Sequence, residues 1–85
     1  MANLRDVKDR QIFVISGLVM YRALRSCPES YTVTVRILGR VIDGNPEIYP
    51  SMTITFLSWF GGMADQVEIV SEEQLMAWRL AGYDL

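Results

Sequence analysis

The spacing of hydrophobic residues changes twice along this 85-residue chain. Over residues 3–26 it is dense and close to helical. Leu4, Val7, Val14 and Leu18 fall near one helix face, while Phe13, Met20 and Leu24 form a second stripe. Ile12, Ile15 and Val19 fill much of the remainder. Asn3 followed by Asp6 has the chemistry of a helix N-cap with an acid in the first turn. A helix apolar nearly all round belongs at the centre of a core or in an oligomer interface. The competing reading is a strand over residues 11–15, a break at Ser16-Gly17, then a helix to residue 26. Short apolar runs are ambiguous by periodicity alone, and one helix is the preferred reading.

Pro28 ends this segment, because it cannot continue helical hydrogen bonds. From residue 31 the spacing is two: Tyr31, Val33, Val35 and Ile37 alternate with Thr32, Thr34, Arg36 and Leu38, as in a half-buried strand. Asp43-Gly44-Asn45-Pro46 is turn chemistry, and Pro50 delays the next strand to about residue 52. That strand runs over residues 52–60, where Gly61-Gly62 suits a two-residue hairpin turn. The implied register sets Phe60 opposite Met63, Ser58 opposite Asp65, Phe56 opposite Val67 and Ile54 opposite Ile69 on one face. On the other it sets Trp59 opposite Ala64, Leu57 opposite Gln66, Thr55 opposite Glu68 and Thr53 opposite Val70. Ser71 and Gln74 make an S-x-x-Q capping box for a last helix, with Leu75, Trp78 and Met76 toward the sheet and Gly82 at its end. The expected fold is a single α+β domain over residues 1–85, in two layers: helix, three-stranded antiparallel meander, helix, with both helices on one sheet face.

Composition adds little to the fold and more to the surface. With 51% hydrophobic and 21% charged residues the chain is not disordered. Its charges are sorted by half. Residues 1–40 carry seven basic and three acidic side chains, residues 41–85 one basic and seven acidic, for a net charge of −2. Such asymmetry suggests a charged partner or a second copy. Seven of the eight basic residues are Arg, whose planar fork pairs carboxylates or phosphates and stacks on aromatic rings. Cys27 is the only cysteine, so no intramolecular disulfide forms and a reducing, cytoplasmic compartment is expected. The uncharged apolar run of residues 11–21 is too short to span a bilayer, and no membrane partner is expected.

Catalytic chemistry finds little material. There is no His, hence no ordinary general base at neutral pH and no His-based triad or zinc site. Cys27 lacks a partner base. Asp43, Asn45 and Glu47 alternate like the opening of a calcium loop, yet Pro46 intrudes and no EF-hand glycine or distal glutamate follows. Glu72 and Glu73 diverge as neighbours on a helix, whose first turn favours acids anyway. No glycine-rich phosphate loop is present. The expectation is a non-enzymatic protein without cofactor or metal.

The outer sheet face then carries the functional reading. By strict alternation it shows Thr32, Thr34, Arg36, Leu38 and Arg40 on one strand, and Thr53, Thr55, Leu57 and Trp59 on the next. Arg36, Leu38, Arg40, Leu57 and Trp59 are the expected partner-binding residues, since Trp and Arg are enriched in binding hot spots. This describes a small protein-binding module that is expected to be a homodimer: an inhibitor, adaptor or accessory protein of the kind that compact genomes such as those of viruses encode. Its partner surface would be acidic and partly apolar. The alternative is a nucleic-acid-binding protein using Arg22, Arg25, Arg36 and Arg40, if folding gathers them. The acidic start of the last helix disfavours a polyanion.

Overall fold

The computed structural model describes residues 3–59 and 67–85. Its described residues form one five-stranded antiparallel sheet and one α-helix. The strands are β1 (Ile12–Ile15), β2 (Val19–Cys27), β3 (Thr32–Ile42), β4 (Asn45–Ser58) and β5 (Val67–Ile69), followed by α1 (Glu72–Leu80). Across the sheet they lie in the order β4-β3-β2-β1-β5. The helix–meander–helix α+β arrangement is therefore overturned.

The first helix does not exist. In its place stand a 3-10 turn at Leu4–Asp6 and the β1–β2 hairpin. The break at Ser16-Gly17 is real, and both residues have positive φ, at 56° and 65°. Ile12, Phe13 and Val14 are all buried, because β1 is covered on both faces. A strand covered on both faces reads as a continuous apolar run, which helical periodicity also accommodates.

Two hydrophobic clusters lie on opposite faces of the sheet. Phe13, Ala23, Val33, Val35 and Val67 build the first, closed by Leu4 and Val7 from the N-terminal turn. Leu57 and Trp59 pack on it from one edge of the sheet, Ile15 and Ile69 from the other side, so the sheet curls around this cluster. Ile12, Val14, Met20 and Leu38 build the second, under Leu75 and Trp78 of α1. Of the expected capping box the Ser71 half forms, with the Gln74 N–H donating to Ser71 Oγ at 3.1 Å. Gly82 has φ 103° just past the helix end, while Met76 points to solvent.

Asp43 and Gly44, with φ of 52° and 80°, form the two-residue turn between β3 and β4 that sets Ile42 opposite Asn45. β4 then runs through Pro46 and Pro50 instead of beginning after them. Among the described residues β4 is an edge strand, with no ladder on one side of its backbone, and such a strand tolerates proline. The Gly61-Gly62 turn lies outside the described residues. The pairings expected of residues 53–56 with 67–70 are replaced: Val67 faces Ile15 and Ile69 faces Phe13 on β1, whereas Leu57 faces Val33 and Thr55 faces Val35 on β3.

Two irregularities control which way side chains point. Leu24 is extra between Ala23, opposite Val35, and Arg25, opposite Thr34, which turns Arg25 to the face of Arg22. Register also shifts on both sides of Leu38: Ile37 faces Tyr21 and Thr53, yet Gly39 faces Met20 and Ile48. Against β2, Leu38 is thus the extra residue of a β-bulge, while residues 49–52 of β4 lie opposite it, and alternation along β3 reverses beyond it. The bulge brings Gly39 so close to β4 that an added Cβ would overlap the Glu47 carbonyl.

Gly39→Ala should therefore cost about 3 kcal/mol by forcing two backbones apart. Gly17→Ala, which meets nothing within 4 Å, should cost only the left-handed backbone penalty of about 1 kcal/mol. Chemical denaturation of both variants checks this order. Tyr21 offers a second test. Burial, and then the charge of Tyr49, raise its phenol above the ordinary tyrosine value of 10.0. The folded state keeps this proton longer than the unfolded chain, so the contribution is complete below about pH 10 and is lost as pH rises through the raised value. Tyr21→Phe is expected to flatten the alkaline fall in stability, read by denaturation across that window.

Candidate binding surface

The register places the expected site residues on two faces. Arg36 and Leu38 lie on the helix-bearing face, where Leu38 is buried in the second cluster. Arg40 lies beyond the bulge, opposite Val19 and Glu47, on the other face. There its Nη2 donates to Glu47 Oε1 at 3.2 Å in an exposed ion pair. Leu57 and Trp59 pack on the first cluster, and the Trp59 ring meets Tyr31 edge-on with centroids 6.3 Å apart. No single surface therefore presents the five. Strict alternation fails at the bulge for Arg40. For Leu57 and Trp59 the expected face is wrong because the β3–β4 register, shifted between Ile37 and Gly39, sets Leu57 opposite buried Val33.

The helix-bearing face presents a different constellation. One cross-strand row reads Ile12, Arg22, Arg36, Ile54. The adjoining row reads Arg25, Thr34, Phe56. Helix α1 covers the Ile12 end of the first row, whereas Ile54 is 60% and Phe56 72% exposed on the edge strand. Arg22 and Arg36 are half-buried, and Arg25 is exposed. Of the four arginines considered for nucleic acid, this face gathers Arg22, Arg25 and Arg36 and leaves out Arg40. The exposed pair Ile54 and Phe56 escapes a reading of the sequence because the Gly61-Gly62 register turns it inward. The Asp43-Gly44 turn would not have found it either: its register, continued unbroken, sets Ile54 opposite Val33, and only the shift between Ile37 and Gly39 brings Ile54 to Arg36 and Phe56 to Thr34.

Between this row and the end of α1 lies a groove of about 620 Å³. Its charged walls are Arg10, Arg22, Arg36 and Arg79 against a single acid, Asp84. Arg79 is anchored by its Nε–H, which donates to the Leu85 carbonyl at 2.7 Å. Arg10 is held by backbone bonds on either side: its N–H donates to the Ala23 carbonyl at 2.7 Å, and the Ala23 N–H donates to the Gln11 carbonyl at 2.8 Å. Arg10 itself takes φ 73°, a strained value for a side-chain-bearing residue. Among the described residues no carboxylate lies within 4.0 Å of Arg10, Arg22 or Arg36.

Other chemistry is dispersed. Cys27 sits at the end of β2, its Sγ 3.6 Å from Ser30 Oγ. Asp43 belongs to the hairpin turn and Glu47 is paired with Arg40, so the alternating Asp43, Asn45 and Glu47 do not converge. Among the described residues no three Cys, Asp or Glu side chains form a metal-ligating group, and no helix is long and apolar enough to cross a membrane. Comparison with protein-family models, curated proteins and solved structures finds no match.

Arg22 and Arg36 are directly opposed on neighbouring strands, an arrangement that repels. Arg36→Gln should raise stability by about 0.5 kcal/mol in low-salt buffer free of multivalent anions. The gain should shrink in about 1 M NaCl, where screening already suppresses the repulsion. Thermal denaturation at the two salt concentrations measures it.

Proposed function

We propose that this protein is a non-enzymatic protein-binding module, and that it docks its partner on the outer part of the helix-bearing face. The observation that carries the reading is Phe56, 72% exposed on an edge strand beside Ile54, with Arg25, Arg22 and Arg36 in the rows behind it. An exposed aromatic costs little side-chain entropy to immobilise, and burying it on a partner yields about 1.5–3 kcal/mol. Arginines around it select acidic groups and speed encounter. The partner surface is accordingly acidic and partly apolar.

A second copy of this chain fits the patch poorly, since an isologous contact would set arginines against arginines. A nucleic acid draws support from the three clustered arginines and a ring available for base stacking. Against it stand the two glutamates that open α1 and the net charge of −2. The single cysteine favours a reducing compartment, the cytoplasm, as the place of action.

The double variant Phe56→Ala/Arg25→Glu should lose partner binding by at least about 100-fold while its circular dichroism and melting temperature stay near wild type. Affinity capture with cross-linking mass spectrometry, followed by titration of the captured protein, provides the measurement. Unchanged affinity would sink the docking surface. Retention on heparin that falls steeply with salt, lost in the same variant, would favour the nucleic-acid reading instead.

A further inference from the structure

The arginine-lined groove has a chemistry that the docking strand does not explain. Arg22 and Arg36 stand side by side on β2 and β3, half-buried and without a carboxylate within 4.0 Å among the described residues. Arg10 lines the same groove from a left-handed backbone position, where its N–H donates to the Ala23 carbonyl. Arg79 reaches the same space from α1, with its Nε tied to the Leu85 carbonyl. Like charges are costly to gather, and the cost persists unless a multivalent anion joins them.

We propose that this groove is a binding site for a phosphate monoester. A phosphoryl dianion offers three acceptor oxygens, enough to engage forks from Arg22, Arg36 and Arg10 together, whereas a carboxylate offers two. The volume of about 620 Å³ exceeds what a bare phosphate fills and suits a phosphate carrying an organic group. Leu38, Ile48 and Tyr49 provide an apolar and aromatic wall for that group. Asp84 is the one acidic side chain in the lining and the Leu85 main-chain oxygen engages Arg79, which leaves Arg10, Arg22 and Arg36 as the positive wall. The site does not depend on docking at Phe56.

Isothermal titration calorimetry of the full chain with phenyl phosphate, inorganic phosphate and benzoate tests the proposal in buffer of constant ionic strength. Phenyl phosphate should bind with one-to-one stoichiometry and a dissociation constant below about 1 mM, at least tenfold tighter than benzoate. Arg22→Gln/Arg36→Gln should weaken it by at least about 30-fold, and Arg22→Lys/Arg36→Lys, which keeps the charge but not the fork, by about tenfold. Phe56→Ala should leave it unchanged. A phosphotyrosine peptide that binds more tightly than phenyl phosphate, by a margin that Phe56→Ala removes, would place the phosphoryl group on a protein. Equal affinity would place it on a small molecule. Non-saturable phosphate titrations, benzoate binding as tightly as phenyl phosphate, or full affinity in the glutamine variant would each overturn the site.

Discussion

The close approach of Gly39 to the Glu47 carbonyl governs this molecule more than any other contact. It is possible only because Gly39 has no Cβ, and it accompanies the bulge at Leu38 that shifts both neighbouring registers. Before the bulge, β3 sends Val33 and Val35 into the curled cluster and Arg36 to the helix-bearing face. After it, Arg40 points the other way and finds Glu47. A regular strand would have put both arginines on one face. The bulge also delivers Leu38 beneath α1, so the same irregularity anchors the helix that walls one side of the groove.

Stability and recognition pull against each other on the helix-bearing face. The interior is orthodox, with no buried polar or charged residue among those described. The strain is displaced to the surface, where two opposed arginines repel, Arg10 holds a left-handed backbone and Phe56 faces water. A small domain has only a few kcal/mol of net stability to lose to such features. The arginine pair and Phe56 lie within two adjoining cross-strand rows, with Arg10 just ahead of β1, and this concentration separates a recognition surface from ordinary solvated sheet. Residues on a sheet also hold their relative positions better than residues on loops, which suits a cluster whose value lies in convergence.

Local features were the legible part of the sequence. The cap at Ser71, the buried Leu75 and Trp78, the break at Ser16-Gly17 and the strand around Val33 and Val35 all follow from chemistry within a few residues. The first segment was misread because a strand covered on both faces loses its alternation. The second half went wrong through choice of partner. Two turn signals competed for residues 45–58, and the pairing of β5 with β1 on the far edge could not be inferred from either. Of the candidate site, Arg36 kept its place on an open face, while Leu38, Leu57 and Trp59 went to support the clusters.

What the amino-acid sequence alone determined was composition and local preference: a small folded domain rich in arginine, without histidine, with a capped final helix and a strand after Pro28. Only the tertiary structure decided which side chains share a face. Side-chain direction in a strand repeats every two residues, so one inserted residue or one change of partner inverts everything downstream. The bulges at Leu24 and Leu38 and the shifted register of β4 against β3 supplied the inversions. Between them they replaced an arginine–tryptophan patch with an arginine groove on the face that also exposes Ile54 and Phe56.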